Sequence, residues 1–368
     1  MADSGSLAHA RVTVDLGALA ANWRSLAAMA PGAETAAVVK ADAYGIGVEP
    51  ALRTLAAAGC RTFFVATPDE GITARKVLPE TTLYILDGLP PGGAARLAEM
   101  QLRPVLGSRP EIEEWVAFRR NGGAGDAAIH VDTGMNRLGL SVADAAAIGA
   151  ERGLRALIGP ALLMSHLACA DTPSHPLSPT QLRRFLDIRD AFPGVRSSLA
   201  NSAGIQLGPE YHFDLTRPGI MLYGGRGDLA KPALRPVVTA EARVLLVRDV
   251  PHGEPVGYGA TERVRRRSRL ATVGIGYADG YHRGASSSDA RRGAQIFVRG
   301  RIAPLVGRVS MDLVVIDVTD IPNVERGDFV ELFGRHMPVD AVAERAGTIS
   351  YELLTQLSRR AERRYVGG

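Results

Sequence analysis

The most constraining feature of this chain is a regular alternation of short apolar runs with longer, alanine-rich amphipathic stretches, from Leu16 to about Thr216. The short runs have the length of buried strands, and the stretches between them have the periodicity of helices. The candidate strands are Thr35–Lys40, Thr62–Thr67, Thr82–Asp87, Leu102–Leu106, Ala127–Asp132, Ala161–His166, Val195–Asn201 and Phe213–Arg217. The candidate helices include Val48–Ala58, Asp69–Val77, Pro110–Arg120, Val142–Arg152 and Pro179–Phe192.

Strands that alternate with helices predict an α/β fold with a parallel sheet and crossover helices. Eight such units in roughly 200 residues fit a closed (β/α)8 barrel of the TIM type. An open doubly wound sheet is the alternative, but it would need a glycine-rich phosphate loop after its first strand, and no GxGxxG motif stands there.

The pattern changes after Arg235-Pro236, where β-like runs are separated by glycine and proline turns, and little helix appears before Val339–Ala346. The runs are Val237–Val250, Leu270–Gly276, Gln295–Val298, Ile302–Val306, Leu313–Val318 and Phe329–Phe333. We therefore predict a barrel over residues 12–234, followed by a mainly β C-terminal domain over residues 235–368. The N-terminal segment, residues 1–11, is a candidate to pack on that domain.

Composition argues against several classes of protein. The net charge of +4 is too small to indicate nucleic-acid binding. Cys60 and Cys169 stand far apart and in no metal-ligand spacing, so we expect neither a disulfide framework nor a metal site. The first residues include an acid and no apolar signal region, and no apolar run reaches the ~20 residues of a membrane helix. We expect a cytoplasmic protein without membrane contact.

Lys40 ends the first candidate strand, and Tyr44 and Gly45 follow it within five residues. Burial at this position would lower the pKa of the lysine and free its amine to act as a nucleophile or a base. Such lysines most often form Schiff bases, and pyridoxal phosphate is the common carbonyl cofactor. The alternative is a lysine that extends its amine to the barrel rim.

Other polar groups follow the ends of further candidate strands, where the active sites of barrels lie. These groups are Asp132–Arg137, Ser165-His166, Asn201–Gly204 and Arg217–Ile220. Backbone N–H groups and small residues at the last two segments suit a phosphate, to which Tyr44 could also donate. Arg217 could then face the cofactor's ring nitrogen and keep it unprotonated, because arginine holds its own proton far more tightly.

Each of these residues also has a purely structural interpretation. His166 could be a hydrogen-bonded core histidine, Arg137 could pair with Asp132, and Arg217 could be an exposed cation in a turn. In the β domain, the glycine-rich runs 274–281 and 307–312 could be turns with packed aromatic residues. The structural interpretations of the barrel residues would all have to be correct for side chains that share one face of the barrel. Such a coincidence favours the functional interpretation.

These motifs resemble the alanine racemase family, in family order and over nearly the whole chain. The matching segments are Val39–Gly45, Asp132–Gly139, Ser165–Asp171, Asn201–Gly204, Arg217–Gly224, Gly276–Gly280, Val306–Asp312 and Ile349–Glu352. The resemblance implies a pyridoxal phosphate enzyme that interconverts L- and D-alanine, supplies D-alanine for peptidoglycan, and acts as a homodimer with shared active sites. Racemisation of another small amino acid such as serine, or decarboxylation by a related barrel enzyme, is the alternative.

The resemblance also implies roles for residues. Lys40 would bind the cofactor and exchange the proton on the D-face, and Tyr277 of the other subunit would act on the L-face. Arg137 and the backbone of Met311 would receive the substrate carboxylate, with Asp312 as a supporting residue. The cofactor would be held by Lys40, Tyr44, His166, Asn201, Ser202, Arg217, Gly219, Ile220 and Tyr351.

Two positions depart from the family pattern. His130 stands where many relatives have a lysine that positions the carboxylate-binding arginine, and we expect His130 to be a supporting residue of the site. Ser198 stands where many relatives have a histidine that touches the ring-nitrogen arginine, and a serine cannot support Arg217 through the same contact.

Overall fold

The computed structural model describes residues 7–226 and 233–368, so residues 1–6 of the segment predicted to pack on the β domain lie outside it. The strands of the first part are β1 Ala10–Asp15, β2 Glu34–Thr35, β3 Ala37–Val38, β4 Thr62–Val65, β5 Thr82–Ile85, β6 Arg103–Leu106, β7 Ala127–His130, β8 Pro160–Met164, β9 Arg196–Ser198 and β10 Leu215–Thr216. The α-helices are α1 Leu16–Met29, α2 Lys40–Tyr44, α3 Val48–Ala58, α4 Pro68–Val77, α5 Ala94–Glu99, α6 Arg109–Arg120, α7 Val142–Ala150, α8 Arg152–Ile158, α9 Leu177–Arg189 and α10 Gly204–Leu207.

Strands β3 to β9 form a parallel seven-stranded sheet in chain order. Strand β10 pairs in parallel with β2, which is separated from β3 only by Ala36. A parallel bridge between Asn201 and Arg217 joins the end of β9 to the end of β10. The sheet therefore closes on itself, and the predicted eight-stranded barrel is confirmed.

Side-chain caps begin several barrel helices at the ends of the strands. Thr67 caps α4 and forms a reciprocal capping box with Glu70, and Ser108 caps α6 by accepting from the Glu111 N–H. These caps satisfy N–H groups that a helix leaves unpaired in its first turn. They also fix the direction in which the chain leaves the barrel mouth.

The second part is a mainly β domain, as predicted. Its strands are β11 Val238–Val250, β12 Ser268–Val273, β13 Gln295–Val298, β14 Arg301–Pro304, β15 Val314–Asp317, β16 Phe329–Phe333 and β17 Glu362–Val366, and its α-helices are α11 Val339–Ala346 and α12 Ser350–Thr355. Strand β1 lies in this sheet rather than in the barrel, antiparallel to β11 and parallel to β17. The chain thus contributes to the β domain before it enters the barrel.

The C-terminal elements pack directly on the segment that follows Lys40. Arg363 of β17 donates from Nη2 to the Gly45 carbonyl at 2.7 Å, and the Tyr365 hydroxyl donates to the Ile46 carbonyl at 2.8 Å. Gly45 has a φ of +82°, and a Cβ there would lie 2.3 Å from the Leu354 carbonyl of α12. Only glycine fits this approach, which ties the β domain to the barrel mouth.

Candidate active site

Lys40 begins a strained turn at the mouth of the barrel. Strand β3 ends at Val38, and residues Ala41 to Tyr44 all have a φ of 53–54°, so α2 is a left-handed turn built without glycine. Lys40 is half-buried and lines a cavity of about 470 Å³ together with Tyr44 and Tyr351. The lysine therefore lines an open cavity at the barrel mouth.

Next to Lys40 lies a cradle of hydroxyl and backbone N–H groups. The Ser202 hydroxyl accepts from the Gly219 N–H at 2.8 Å, and a Cβ on Gly219 would lie 2.3 Å from the Tyr44 hydroxyl. The Tyr44 ring stacks on Tyr223, with centroids 4.5 Å apart, and lies 6.0 Å from the Tyr351 ring. Burial raises the pKa of Tyr44, so its hydroxyl keeps its proton and can donate to an anion.

Arg217 is buried within the barrel, with 4% of its surface exposed. Its Nη2 donates to the Ser165 carbonyl at 2.6 Å, and its Nη1 donates to the Ser198 hydroxyl. Burial lowers the pKa of Arg217 to about 9, which still leaves the group cationic at neutral pH. The interpretation of Arg217 as an exposed cation in a turn is therefore wrong. Among the described residues it has no carboxylate partner.

The two histidines of the site are held in their neutral form. Desolvation lowers the pKa of His130 to about 4, and the positive charge of Arg217 acts in the same direction. His166 faces the cavity rather than bulk water, and its pKa lies well below the ordinary value, chiefly through desolvation and then through Arg217. Its ring has no hydrogen-bond partner in the described part of the chain, which argues against a satisfied core histidine.

Asp132 organises the loop that carries Arg137. Its carboxylate accepts from the N–H groups of Gly134 and Met135 at 2.8 Å and of Asn136 at 2.9 Å. Arg137 is exposed and forms no ion pair with Asp132, so the structural bridge between them is not present. The loop thus presents Arg137 as a cation that can receive an anionic group.

The cradle opens into a larger cavity of about 1080 Å³, whose walls include His166, Ser202, Ile220 and Tyr351. Asn201 also lines it, but its carboxamide is occupied within the loop, accepting from the Gly204 N–H at 2.9 Å and donating to the Leu167 carbonyl at 3.3 Å. Three donor groups that line the two cavities have no hydrogen-bond partner among the described residues. They are the side chains of Lys40, Tyr44 and Tyr351, and the exposed guanidinium of Arg137 has none either. Tyr44 is buried, so its unpaired hydroxyl predicts a ligand that accepts a hydrogen bond in the cavity.

The β-domain residues Tyr277, Met311 and Asp312 lie away from both cavities. The Ala278 N–H donates to the Met311 carbonyl at 3.0 Å, which ties their two turns together. Arg360 reinforces the link, since it pairs with buried Asp279 at 3.3 Å and with Asp312 at 2.9 Å. Tyr277 and Met311 are 43% and 54% exposed, so this unit faces outward from its own chain.

Sequence reasoning missed a second outward-facing tyrosine. Tyr258 is 73% exposed and lies between Gly257 and Gly259, which have φ values of +72° and +74°. The side chain of Arg308 lies beside this turn, since a Cβ on Gly259 would be 3.0 Å from its Nη1. The signal available in the sequence was the Gly-Tyr-Gly run itself, because glycines on both sides of an aromatic residue mark a tightly shaped loop.

The fold and the site together define a two-domain barrel protein that presents a lysine, a buried arginine and a phosphate-type cradle at the carboxyl ends of its strands. The family model described as alanine racemase, N-terminal domain, matches residues 14–227, and the model described as alanine racemase, C-terminal domain, matches residues 237–365. The chain belongs to the alanine racemase family.

Individual relatives agree with this assignment. The chain is 50% identical to an alanine racemase of Rhizobium meliloti (strain 1021), covering 98% of both chains. It is 48% identical to a biosynthetic alanine racemase of Agrobacterium fabrum, covering 99% of this chain and 95% of the relative. Among solved structures, alanine racemase from Bartonella henselae with covalently bound pyridoxal phosphate superposes with a TM-score of 0.92 at 38% identity, covering 98% of this chain and 100% of that one.

In the part of the chain that the structure describes, no helix is long and apolar enough to cross a bilayer. No group of three or more His, Cys, Asp or Glu side chains within residues 7–226 and 233–368 could hold a metal ion.

Proposed function

We propose that this protein is a pyridoxal phosphate-dependent alanine racemase that interconverts L- and D-alanine. The observation that carries the proposal is the half-buried amine of Lys40 beside a cradle of unpaired donors. The family assignment and the cofactor seen in the Bartonella henselae relative support it. Neither a serine racemase nor a decarboxylase is favoured, since the relatives cited above are named as alanine racemases.

The residues present fit the cofactor. Tyr44, Ser202, Tyr351 and the Ile220 N–H would hold its phosphate. Gly219 would shape the same cradle, because its N–H holds the Ser202 hydroxyl and its missing side chain leaves room for the Tyr44 hydroxyl. Lys40 would bind its aldehyde carbon. When bound, the cofactor withdraws electrons from the substrate Cα and makes its hydrogen acidic.

Arg217 would lie at the ring nitrogen of the cofactor. Its guanidinium is held by neutral acceptors only, the Ser198 hydroxyl and the Ser165 carbonyl, and it remains protonated. A protonated arginine donates to the ring nitrogen and does not transfer its proton. His166, kept neutral, would pack against the cofactor without adding a further charge.

Arg137 and, from a second copy of the chain, the Met311 N–H would receive the substrate carboxylate and thereby fix the Cα–H bond relative to the two proton-transfer groups. We propose that Asp312 and His130 support these contacts, Asp312 through its ion pair with Arg360 and His130 as a neutral ring beside the loop of Arg137. Lys40 would move the proton at Cα on one face.

The opposite face needs a second group, and among the described residues the cavity-lining Tyr44, Tyr351 and His166 already have proposed roles in holding the cofactor. Tyr277 is our sequence-based candidate, and the greater exposure of Tyr258 on its glycine-flanked turn makes it an equal candidate. Both tyrosines face away from their own chain, so either would serve the active site of a second copy. We therefore propose a homodimer with shared active sites.

We further propose that the enzyme supplies D-alanine for peptidoglycan in the cytoplasm. The relative named as biosynthetic, at 48% identity, supports the supply of D-alanine, although a relative named as catabolic is 43% identical. Two free cysteines support a reducing compartment, because disulfides persist only in oxidising ones.

The experiment that tests the proposal follows the cofactor and the reaction separately. Purified protein should absorb visible light, lose that band on borohydride reduction, and yield one labelled peptide that contains Lys40. Incubation with L-alanine in deuterated water should give D-alanine with deuterium at Cα, and Lys40→Ala should abolish both results. A colourless protein would contradict the cofactor assignment, and carbon dioxide release without D-alanine would contradict the racemase assignment.

A further inference from the structure

The left-handed turn after Lys40 is unusual because no glycine contributes to it. Ala41, Asp42, Ala43 and Tyr44 each have a φ of 53–54°, a conformation that crowds the Cβ of L-residues against the following carbonyl. Single residues visit this region, whereas four in succession persist only if their surroundings hold them. The contacts around the turn should therefore reveal what fixes the backbone of Lys40.

Glu70 supplies the contact closest to Lys40. One carboxylate oxygen of Glu70 accepts from the Ala41 N–H at 2.7 Å, and the other accepts from the Ala66 N–H at 2.8 Å. The Ala41 N–H belongs to the peptide unit that joins it to Lys40, so this bond fixes the orientation of that unit. We propose that Glu70 is a positioning residue, which locks the strained turn to the end of the neighbouring strand β4 and so aims the Lys40 side chain into the cavity.

Other contacts hold the rest of the turn. Asp42 accepts from the Val48 N–H at 2.7 Å, and β17 binds the Gly45 and Ile46 carbonyls through Arg363 and Tyr365. Asp42 lies two residues from Lys40, and the carbonyls bound by β17 lie five and six residues from it. Among the side-chain contacts of the described residues, that of Glu70 acts on the Ala41 N–H next to Lys40, and a carboxylate acceptor makes both of its bonds charge-assisted.

The chain contains a matched control for Glu70. Glu111 occupies the same position in the first turn of α6, and its carboxylate accepts from the Leu89 N–H at 2.8 Å and from the Gly107 N–H at 2.9 Å. It therefore links two neighbouring loops at the ends of strands, as Glu70 does, but it does not contact the turn of Lys40. Loss of either carboxylate should weaken a helix cap, whereas only loss of Glu70 should release the turn.

The test compares Glu70→Gln with Glu111→Gln in the full-length holoenzyme. Glutamine keeps the shape but replaces one acceptor by an N–H₂ group that faces another N–H donor. By hydrogen exchange, we expect Glu70→Gln to speed exchange at least tenfold at the protected amides of Ala43, Gly45 and Gly47, and Glu111→Gln to leave them unchanged. The kcat for L-alanine should fall at least tenfold with little change in KM for Glu70→Gln only, a readout that rests on the proposed function.

The exchange result does not depend on activity, so a failure of the proposed function and a failure of this inference are distinguishable. Equal exchange at residues 40–47 in both variants, with equal losses of stability, would show that Glu70 is only a helix cap. If Glu70→Gln does not fold, Glu70→Asp keeps the charge but is too short to reach both amides, and the same exchange pattern is expected of it.

A rescue experiment provides an independent check. Glycine accepts positive φ without crowding, so Ala41→Gly should remove part of the strain that Glu70 opposes. In the Ala41→Gly background, Glu70→Gln should speed exchange in the turn less than threefold. An effect as large as in the wild-type background would overturn the inference, because the two residues would then act independently.

Discussion

The guanidinium of Arg217 donates to the hydroxyl of Ser198, and this hydroxyl donates in turn to the Leu215 carbonyl at 2.5 Å. A serine thus holds the buried arginine by a contact of its own, although it cannot reproduce the contact of a histidine. The acceptor is neutral and has no titratable proton in the physiological range. The orientation of Arg217 should therefore not change with pH through this partner.

Removal of that hydroxyl should weaken the enzyme and destabilise it. Ser198→Ala leaves a buried guanidinium N–H without an acceptor, which costs about 2 kcal/mol, and kcat/KM should fall roughly tenfold because Arg217 loses its alignment. Urea unfolding and steady-state kinetics measure the two effects. The control is Ser197→Ala, since the Ser197 hydroxyl is buried without a partner. Equal losses in the two variants would show that the Arg217 contact has no special weight.

The two exposed tyrosines can be separated by their phenylalanine variants. The tyrosine that moves the proton should lose at least about a thousandfold in kcat when its hydroxyl is removed, because no other group on that face replaces it, while general acid–base groups contribute ~10²–10⁴. The other tyrosine should lose far less. Racemisation kinetics of Tyr258→Phe and Tyr277→Phe show which tyrosine moves the proton. The visible absorbance of each variant is the control for bound cofactor. Near-normal rates in both variants would exclude a tyrosine as the second group.

Shared active sites predict complementation between two inactive variants. A mixed dimer of Lys40→Ala with the inactive tyrosine variant has one site with both defects and one site with neither. Refolding the two variants together should therefore restore about a quarter of wild-type activity, since half of the dimers are mixed and each has one intact site. No recovery, although mass measurement shows mixed dimers, would place both groups in one chain.

Periodicity was sufficient to predict the barrel, because buried parallel strands are short apolar runs with helices between them. Boundaries were less accurate where a local interaction overrides the pattern. The run Thr35–Lys40 leaves the sheet after Val38, where the left-handed turn begins, and Val142–Arg152 divides at Glu151 into α7 and α8. Strand β17 could not be predicted from the pattern, because its sequence, Glu-Arg-Arg-Tyr-Val, is mostly charged and has no apolar run. It pairs with β1 in the β domain.

The positions of Lys40, Arg217 and the phosphate-type cradle could also be predicted, because these residues follow strand ends and the carboxyl ends of barrel strands converge. The partners of these residues could not be predicted. Glu70 reaches the Lys40 turn only because two neighbouring loops lie side by side in the closed barrel. Tyr258 was overlooked because exposure is a property of the folded chain and not of the Gly-Tyr-Gly run.

His130 should make stability depend on pH in acid. Its pKa is about 4 in the fold, below the ordinary value of 6.5, so the unfolded chain binds more protons between these values. Stability therefore falls as the pH drops below 6.5 and continues to fall until about pH 4. For His130 alone, the loss between pH 7 and pH 5 is about 2 kcal/mol. Between pH 7 and pH 5, the free energy of unfolding in urea should fall by about 2 kcal/mol less for His130→Gln than for the wild type. The control His252→Gln, at an exposed position, should show the same fall as the wild type.

The strain in the Lys40 turn predicts an unusual sign for one substitution. A left-handed conformation costs an L-residue ~1–2 kcal/mol, whereas glycine loses ~0.5–1 kcal/mol of additional entropy on folding. Ala41→Gly should therefore raise the free energy of unfolding by about 0.5–1 kcal/mol. Exposed Ala117 lies in the right-handed helix α6, where no strain is relieved, and Ala117→Gly should lower it by about 1 kcal/mol. Urea unfolding of both variants measures the difference, and a loss of stability in both would mean that the turn stores no strain at Ala41.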